Sequence, residues 1–317
     1  MPKSKNNYFI HIGLFLITFV TTTIAGMQWT TGIAGPFALE SMVVGLPYSI
    51  SIMFMITCHE FGHYFAAKYH NVEATLPYYI PFPFMGGLFL NFGTMGAVIR
   101  TKTPVMNKKA MFDIGIAGPI AGFIATIGIL IIGFLTLPGK EYILAIHPDY
   151  FSPEYGKTGL QFGFGNNLIF LFLKWLFADN YAFFPPMSEI YHYPFLCVGW
   201  FGLFITAMNM IPVGQLDGGH ISYALFGDKK QYTIAVICFM ALFAFGLIGI
   251  SEYVLEMPIK LGWEGWLVWA LLLFFIIKLK HPPIHDTEEL DTKRRILGYI
   301  SFAILILSFT PIPFTGV

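Results

Sequence analysis

The stretch Ile56-Thr57-Cys58-His59-Glu60-Phe61-Gly62-His63-Tyr64 sets two imidazoles four residues apart with a carboxylate beside the first. On a helix, residues i and i+4 share a face with Cβ atoms about 5–6 Å apart, so His59 and His63 can reach one cation while Glu60 stands next to it. Zn²⁺ suits these donors. It takes imidazole nitrogen at about 2.0–2.1 Å, and a catalytic site keeps one position open, so a third protein ligand must come from elsewhere in the chain. All three ionisable residues lie in an apolar run from Met42 to Ala67, where each costs at least about 2.5–3.5 kcal/mol on membrane-insertion scales. A bound cation would compensate them.

The elements that must hold this cluster are membrane helices. Hydrophobic residues make up 56% of the 317, aromatic residues 18% and charged residues only 11%, against about 25% charged in soluble domains. That composition excludes an ordinary soluble domain and reads as an all-α polytopic membrane protein in contact with the lipid bilayer. No basic stripe or zinc-finger spacing points to a nucleic-acid partner. Cys58, Cys197 and Cys238 lie in apolar segments without paired spacing and read as small buried hydrophobes.

Apolar windows long enough for a bilayer fall near 8–26, 43–67, 110–136, 194–214, 231–250, 263–280 and 295–311, so seven spans are expected. The first could also be a cleaved signal, though its length favours an anchor. With the N-terminus inside, 14 of the 18 Lys and Arg fall on inner segments, as the positive-inside rule requires. This puts His59 and His63 toward the cytoplasmic end of the second span. The expected organisation is an N-terminal anchor over 1–42, a core over 43–230 and C-terminal transmembrane helices over 231–317.

Between the second and third spans, Pro77, Pro81 and Pro83 break any helix, and Gly86, Gly87, Gly93 and Gly96 disfavour one afterwards. A short β-hairpin dipping into the membrane is expected there. Irregular backbone at that depth must be buried or line a cavity. Gly87, Asn91 and Gly93 are its candidate substrate contacts. The outer stretch 139–193 includes an apolar run, Leu168 to Phe177, too short to span, which reads as an interfacial or re-entrant helix. His281, His285 and the charges from Asp286 to Arg295 read as a cytoplasmic linker.

The third ligand is expected at Asp217, in Met208-Asn209-Met210-Ile211-Pro212-Val213-Gly214-Gln215-Leu216-Asp217-Gly218-Gly219-His220. The topology brings this carboxylate, at the inner end of the fourth span, to the depth of His63. Pro212 and the nearby glycines loosen the helix and let the side chain turn in. His220, one turn on, reads as an interfacial surface histidine, with competing as the ligand or supporting the ligands as the alternatives.

His59-Glu60-Phe61-Gly62-His63 followed by Asn209-x-x-Pro212-x-x-x-Leu216-Asp217-Gly218 resembles the site-2 protease family of intramembrane zinc metalloproteases. Further similarity runs through Leu76 to Pro81, Gly93 to Ala97 and Ala117 to Gly122, and it is strongest to the bacterial and plastid branch without PDZ domains. The resemblance implies one Zn²⁺ per chain on His59, His63 and Asp217, with Glu60 as general base. It implies that Asn209 positions substrate or the oxyanion, and that the substrate is a transmembrane protein cut in or near its helix. The expected location is a prokaryotic cell membrane with the site toward the cytoplasm. Two other readings stand beside it. A protease of prenylated C-termini would take its third ligand from a later glutamate, but Glu252, Glu256 and Glu264 fall on the outer side. A metal transporter usually has repeated halves, and no convincing repeat is visible; an inactive scaffold would have no need of Glu60.

Overall fold

Each of the seven apolar windows holds a helix in the computed structural model, which describes residues 8–32, 39–82, 91–155, 162–178, 183–257, 260–284, 286 and 288–316. In chain order the elements are α1 (Tyr8–Thr31), α2 (Met42–Tyr69), β1 (Tyr78–Pro81), β2 (Thr94–Val98), α3 (Lys108–Leu135), α4 (Lys140–Ile146), β3 (Gly163–Phe164), α5 (Leu168–Ala178), α6 (Pro194–Met210), α7 (Asp217–Val254), α8 (Gly265–Leu272), α9 (Thr292–Ser308) and β4 (Phe314–Thr315). Among the described residues, α1, α2, α3 and α7 are long and apolar enough to cross a bilayer. The chain is a multi-pass membrane protein. The other windows hold shorter helices: α6 and α9 have 17 residues each, and α8 runs on into a π-helical turn, Leu273–Ile277.

Why these helices pack follows from their small residues. Lipid tails remove the usual hydrophobic drive between helices, so close backbone approach and interhelical hydrogen bonds carry the association. Gly45 of α2 lies directly on α1, where a Cβ would collide with the Thr23 carbonyl. Thr22 Oγ1 and Ser49 Oγ share a hydrogen bond of 2.7 Å across the same contact. The first helix is therefore an integral member of the bundle. Gly62 of α2 meets Ala117 and Gly118 of α3 in the same way. At the end of the bundle remote from this crossing, Trp200 and Phe201 of α6 are buried against Phe164 and Phe314 from the antiparallel β3–β4 pair.

The hairpin forms, one strand earlier than the glycine-rich run. β1 and β2 pair antiparallel with Tyr78 opposite Val98 and Tyr79 opposite Ala97. Residues 83–90, and with them Gly86 and Gly87, lie outside the described residues. α1 holds the hairpin by its backbone. His11 Nδ1 donates to the Pro77 carbonyl (3.0 Å), Thr21 Oγ1 to that of Gly93 (2.6 Å) and Trp29 Nε1 to that of Asn91 (2.8 Å). α5 has 11 residues, about 16 Å of helix and too short to cross, and it buries Phe170 and Leu173 while Phe172 and Trp175 stay exposed.

α7 is not one straight rod. Gly227 breaks it with φ +77° and ψ 174°, a conformation that residues with a Cβ rarely adopt. The spanning part is therefore the stretch after Gly227, which contains the 231–250 window.

Candidate metal centre

His59, Glu60 and His63 come from the second half of α2 and are all buried, with 7–8% of their surface exposed. Asp217 reaches them from a position that differs from expectation. It does not close α6. That helix ends at Met210, because Pro212 has no N–H to continue the ladder. The chain then turns, with Val213 N donating to Ile211 O (2.7 Å) and Leu216 N to Val213 O (3.1 Å), and Asp217 opens α7.

The three side chains converge. His59 Nε2 and His63 Nε2 are 3.1 Å apart, and Asp217 gives one oxygen to each, Oδ2 at 3.5 Å from His59 Nε2 and Oδ1 at 3.5 Å from His63 Nε2. Zinc–ligand bonds of about 2.05 Å give a tetrahedral edge of about 3.3–3.4 Å, so these separations fit such an ion. His63 Nδ1 lies 2.7 Å from the Ile114 carbonyl of α3. A carbonyl only accepts, so Nδ1 carries the proton and Nε2 offers its lone pair to the centre. Gly118 of α3 makes room for this ring, since a Cβ there would overlap the His63 imidazole, and Gly122 packs against His59.

Glu60 stands beside these three side chains, and its Oε2 accepts a hydrogen bond from the Ile99 amide just after β2 (3.0 Å). The hairpin thus orients this carboxylate, while Thr57 Oγ1 and the Tyr79 hydroxyl tie α2 to β1 (2.7 Å). An open cleft of about 370 Å³ leads to the cluster. Ala97, Val98 and Ile99 form one wall and Asn209, Gln215 and His220 another.

Other expected residues lie elsewhere. Asn91 and Gly93 are not among the residues that line the cleft. Asn91 donates through Nδ2 to Gln28 Oε1 (3.1 Å), and Gly93 packs on Thr21 and Thr22, so both serve the junction with α1. Gly87 lies outside the described residues. His220 is half-buried at the cleft, and its Nδ1 is 2.7 Å from Nε2 of His281, which is 3% exposed. Burial lowers the pKa of His281. His281 does lie in the connection between α8 and α9, but buried rather than exposed, and His285 lies outside the described residues. Cys58 is a free, half-buried thiol outside the ligand group. Glu252 is buried and accepts from the Leu261 and Gly262 amides (2.6 and 3.2 Å), which commits it to a turn.

Sequence reasoning missed the Ile99 amide, the Ile114 carbonyl and the space at Gly118. Backbone groups carry no side-chain signature, but the small residues of Ala117-Gly118-Pro119-Ile120-Ala121-Gly122 at helical spacing mark a close helix crossing.

Comparison with known proteins agrees with this picture. The family described as Peptidase family M50 matches residues 47–249. A rice protein (Oryza sativa subsp. indica) named probable zinc metalloprotease EGY2, chloroplastic, is 28% identical over 271 residues, covering 86% of this chain and 42% of its own length. Probable zinc metalloprotease EGY1, chloroplastic, is 28% identical in Arabidopsis thaliana, over 84% of this chain and 43% of the relative. The EGY1 protein of Oryza sativa subsp. japonica is 30% identical, over 84% and 41%. The chain thus spans about two fifths of the length of the curated relatives it matches. No solved structure matches it.

Proposed function

The chain belongs to peptidase family M50, and from that premise we propose that it is an intramembrane zinc metalloprotease that cleaves peptide bonds in or near transmembrane helices of membrane-protein substrates. The observation that carries the reading is the meeting of His59, His63 and Asp217 at tetrahedral spacing with Glu60 beside them at a cleft. The relatives' names as zinc metalloproteases support it.

In this reading His59, His63 and Asp217 hold one catalytic zinc. When bound, the ion supplies Lewis acidity toward a peptide carbonyl and acidifies water toward a pKa of about 7. Glu60 accepts the proton of the attacking water and returns it to the leaving amide nitrogen. The Ile99 amide fixes the Glu60 carboxylate during both transfers. Asn209 presents a side-chain amide at the cleft wall, suited to hold the scissile carbonyl or the charge that develops on it.

A peptide bond inside a helix is shielded, so the substrate must unwind locally. The β2 edge, whose Ala97 and Val98 line the cleft, is suited to hold the unwound segment as an added strand. Met95→Pro in this strand is then expected to weaken binding of a single-span substrate while zinc content stays at wild type. Pull-down and metal analysis on the same preparation check this; unchanged binding would remove the docking role.

The charge bias supports a cytoplasmic side for the site; seven spans, with a core over 43–230 between an N-terminal anchor and C-terminal helices, and a prokaryotic cell membrane belong to the same proposal. The function is tested by presenting purified, zinc-loaded protein with a panel of single-span substrates and mapping the products. Cuts in or beside the span, lost on chelation and regained with zinc, are expected. Cleavage that survives complete metal removal would overturn the assignment.

A further inference from the structure

A second ligand-capable cluster lies at the other end of the bundle. His147 follows α4, while Glu189 precedes and His192 ends the short 3₁₀ turn Ile190–His192 that leads into α6. Their ligand atoms all lie within 4.8 Å of one another. About 17 residues of α3 separate Gly118, at the first centre, from the end of that helix before α4, or about 25 Å of helix rise. The two clusters therefore sit near opposite membrane faces.

His147 Nε2 and His192 Nε2 are 3.0 Å apart, and Glu189 Oε2 is 3.5 Å from His192 Nε2. These values bracket the tetrahedral edge of about 3.3–3.4 Å that zinc–ligand bonds imply. His192 Nδ1 is 2.8 Å from the Thr30 carbonyl at the end of α1, so Nδ1 carries the proton and Nε2 faces the cluster as a lone pair.

The carboxylate gives a second, independent indication. Glu189 is 5% exposed. Its Oε1 accepts from the Tyr155 hydroxyl (3.1 Å) and Ser188 Oγ (3.4 Å), but its Oε2 is buried with no hydrogen-bond partner. An unsatisfied buried acceptor costs about 1–3 kcal/mol, more when charged. A hydrogen bond shared between the two imidazoles would leave that oxygen orphaned; a cation set among all three satisfies every donor at once.

We propose that His147, Glu189 and His192 form a second divalent-metal site of the zinc class, which fastens the loop after α4 and the start of α6 to the end of α1. Two imidazoles and a carboxylate favour a first-row ion such as zinc over magnesium or calcium, which take oxygen ligands. The site is structural and raises the expected zinc from one to two per chain.

The test uses the full chain in detergent with zinc alone and reads metal per chain. Wild type is expected to hold two zinc ions and His59→Ala/His63→Ala to retain one. Adding His147→Ala or the near-isosteric Glu189→Gln to that double variant is expected to lower the last zinc at least tenfold and to abolish the rise in thermal midpoint on zinc addition. Failure of the first centre and failure of this one are distinguishable, because each is read in the absence of the other. A single zinc in wild type that disappears with His59→Ala/His63→Ala would overturn the second site. So would a retained zinc that neither His147→Ala nor Glu189→Gln disturbs.

Discussion

Glu60→Gln is expected to keep the wild-type zinc at the first centre and to lower cleavage by about 10²–10⁴-fold, the span associated with a lost general acid–base. The amide has the shape of the carboxylate but cannot take a proton from water near neutral pH. Nor should the change disturb the proposed ligands, since His59, His63 and Asp217 are the group able to hold the ion and Glu60 only borders it. Asp217→Ala is the informative contrast. It removes one of three ligands and leaves two imidazole nitrogens 3.1 Å apart with no anion to share, so zinc and cleavage should fall together. Metal analysis and cleavage rates on matched preparations separate the two patterns. Equal cleavage by wild type and Glu60→Gln would reject Glu60 as the base.

What the sequence showed of this centre was the part written in side chains. Two histidines at helical spacing with a glutamate between them can be read without coordinates, and Asp217 follows from depth and charge. The position of Asp217 as the first residue of α7 was less legible. It depends on α6 ending at Met210 and on a turn through Pro212, whereas hydropathy alone carries the apolar signal on to 214. The break at Gly227 is hidden for the same reason, since a single glycine in an apolar helix costs only about 1 kcal/mol and need not interrupt it.

Long-range pairings were invisible for a different reason. His220 and His281 stand 61 residues apart in the chain yet share a 2.7 Å contact, and nothing in either local pattern announces the other. The hairpin was expected, but the packing of its residues Asn91 and Gly93 on α1 was not. Asn91 and Gly93 look like exposed loop residues until α1 is packed against them through Thr21, Trp29 and Gln28. The residue that does reach the chemistry from this hairpin is Ile99, and it does so through its amide, which every residue except proline possesses.

Gly118→Ala is expected to damage the metal centre although Gly118 offers no ligand. Its added methyl would occupy the space of the His63 ring. Withdrawing α3 to make room would open the close contact that Ala117 and Gly118 make with Gly62 of α2. The imidazole must therefore rotate, which breaks the Nδ1 hydrogen bond to Ile114 and turns Nε2 away from its partners. Loss of the contacts that orient a ligand typically lowers metal affinity by about 10–100-fold, and overpacking a close contact costs about 1–3 kcal/mol of stability besides. Gly128→Ala on the same helix is the control. Its Cβ would point into open space, so alanine there should leave zinc affinity and cleavage at wild type. Zinc titration of the two variants in detergent, with thermal unfolding alongside, checks the contrast. Wild-type affinity in Gly118→Ala would show that the ring of His63 is free to move, and the rigid packing of α2 on α3 would no longer explain how the ligands are held.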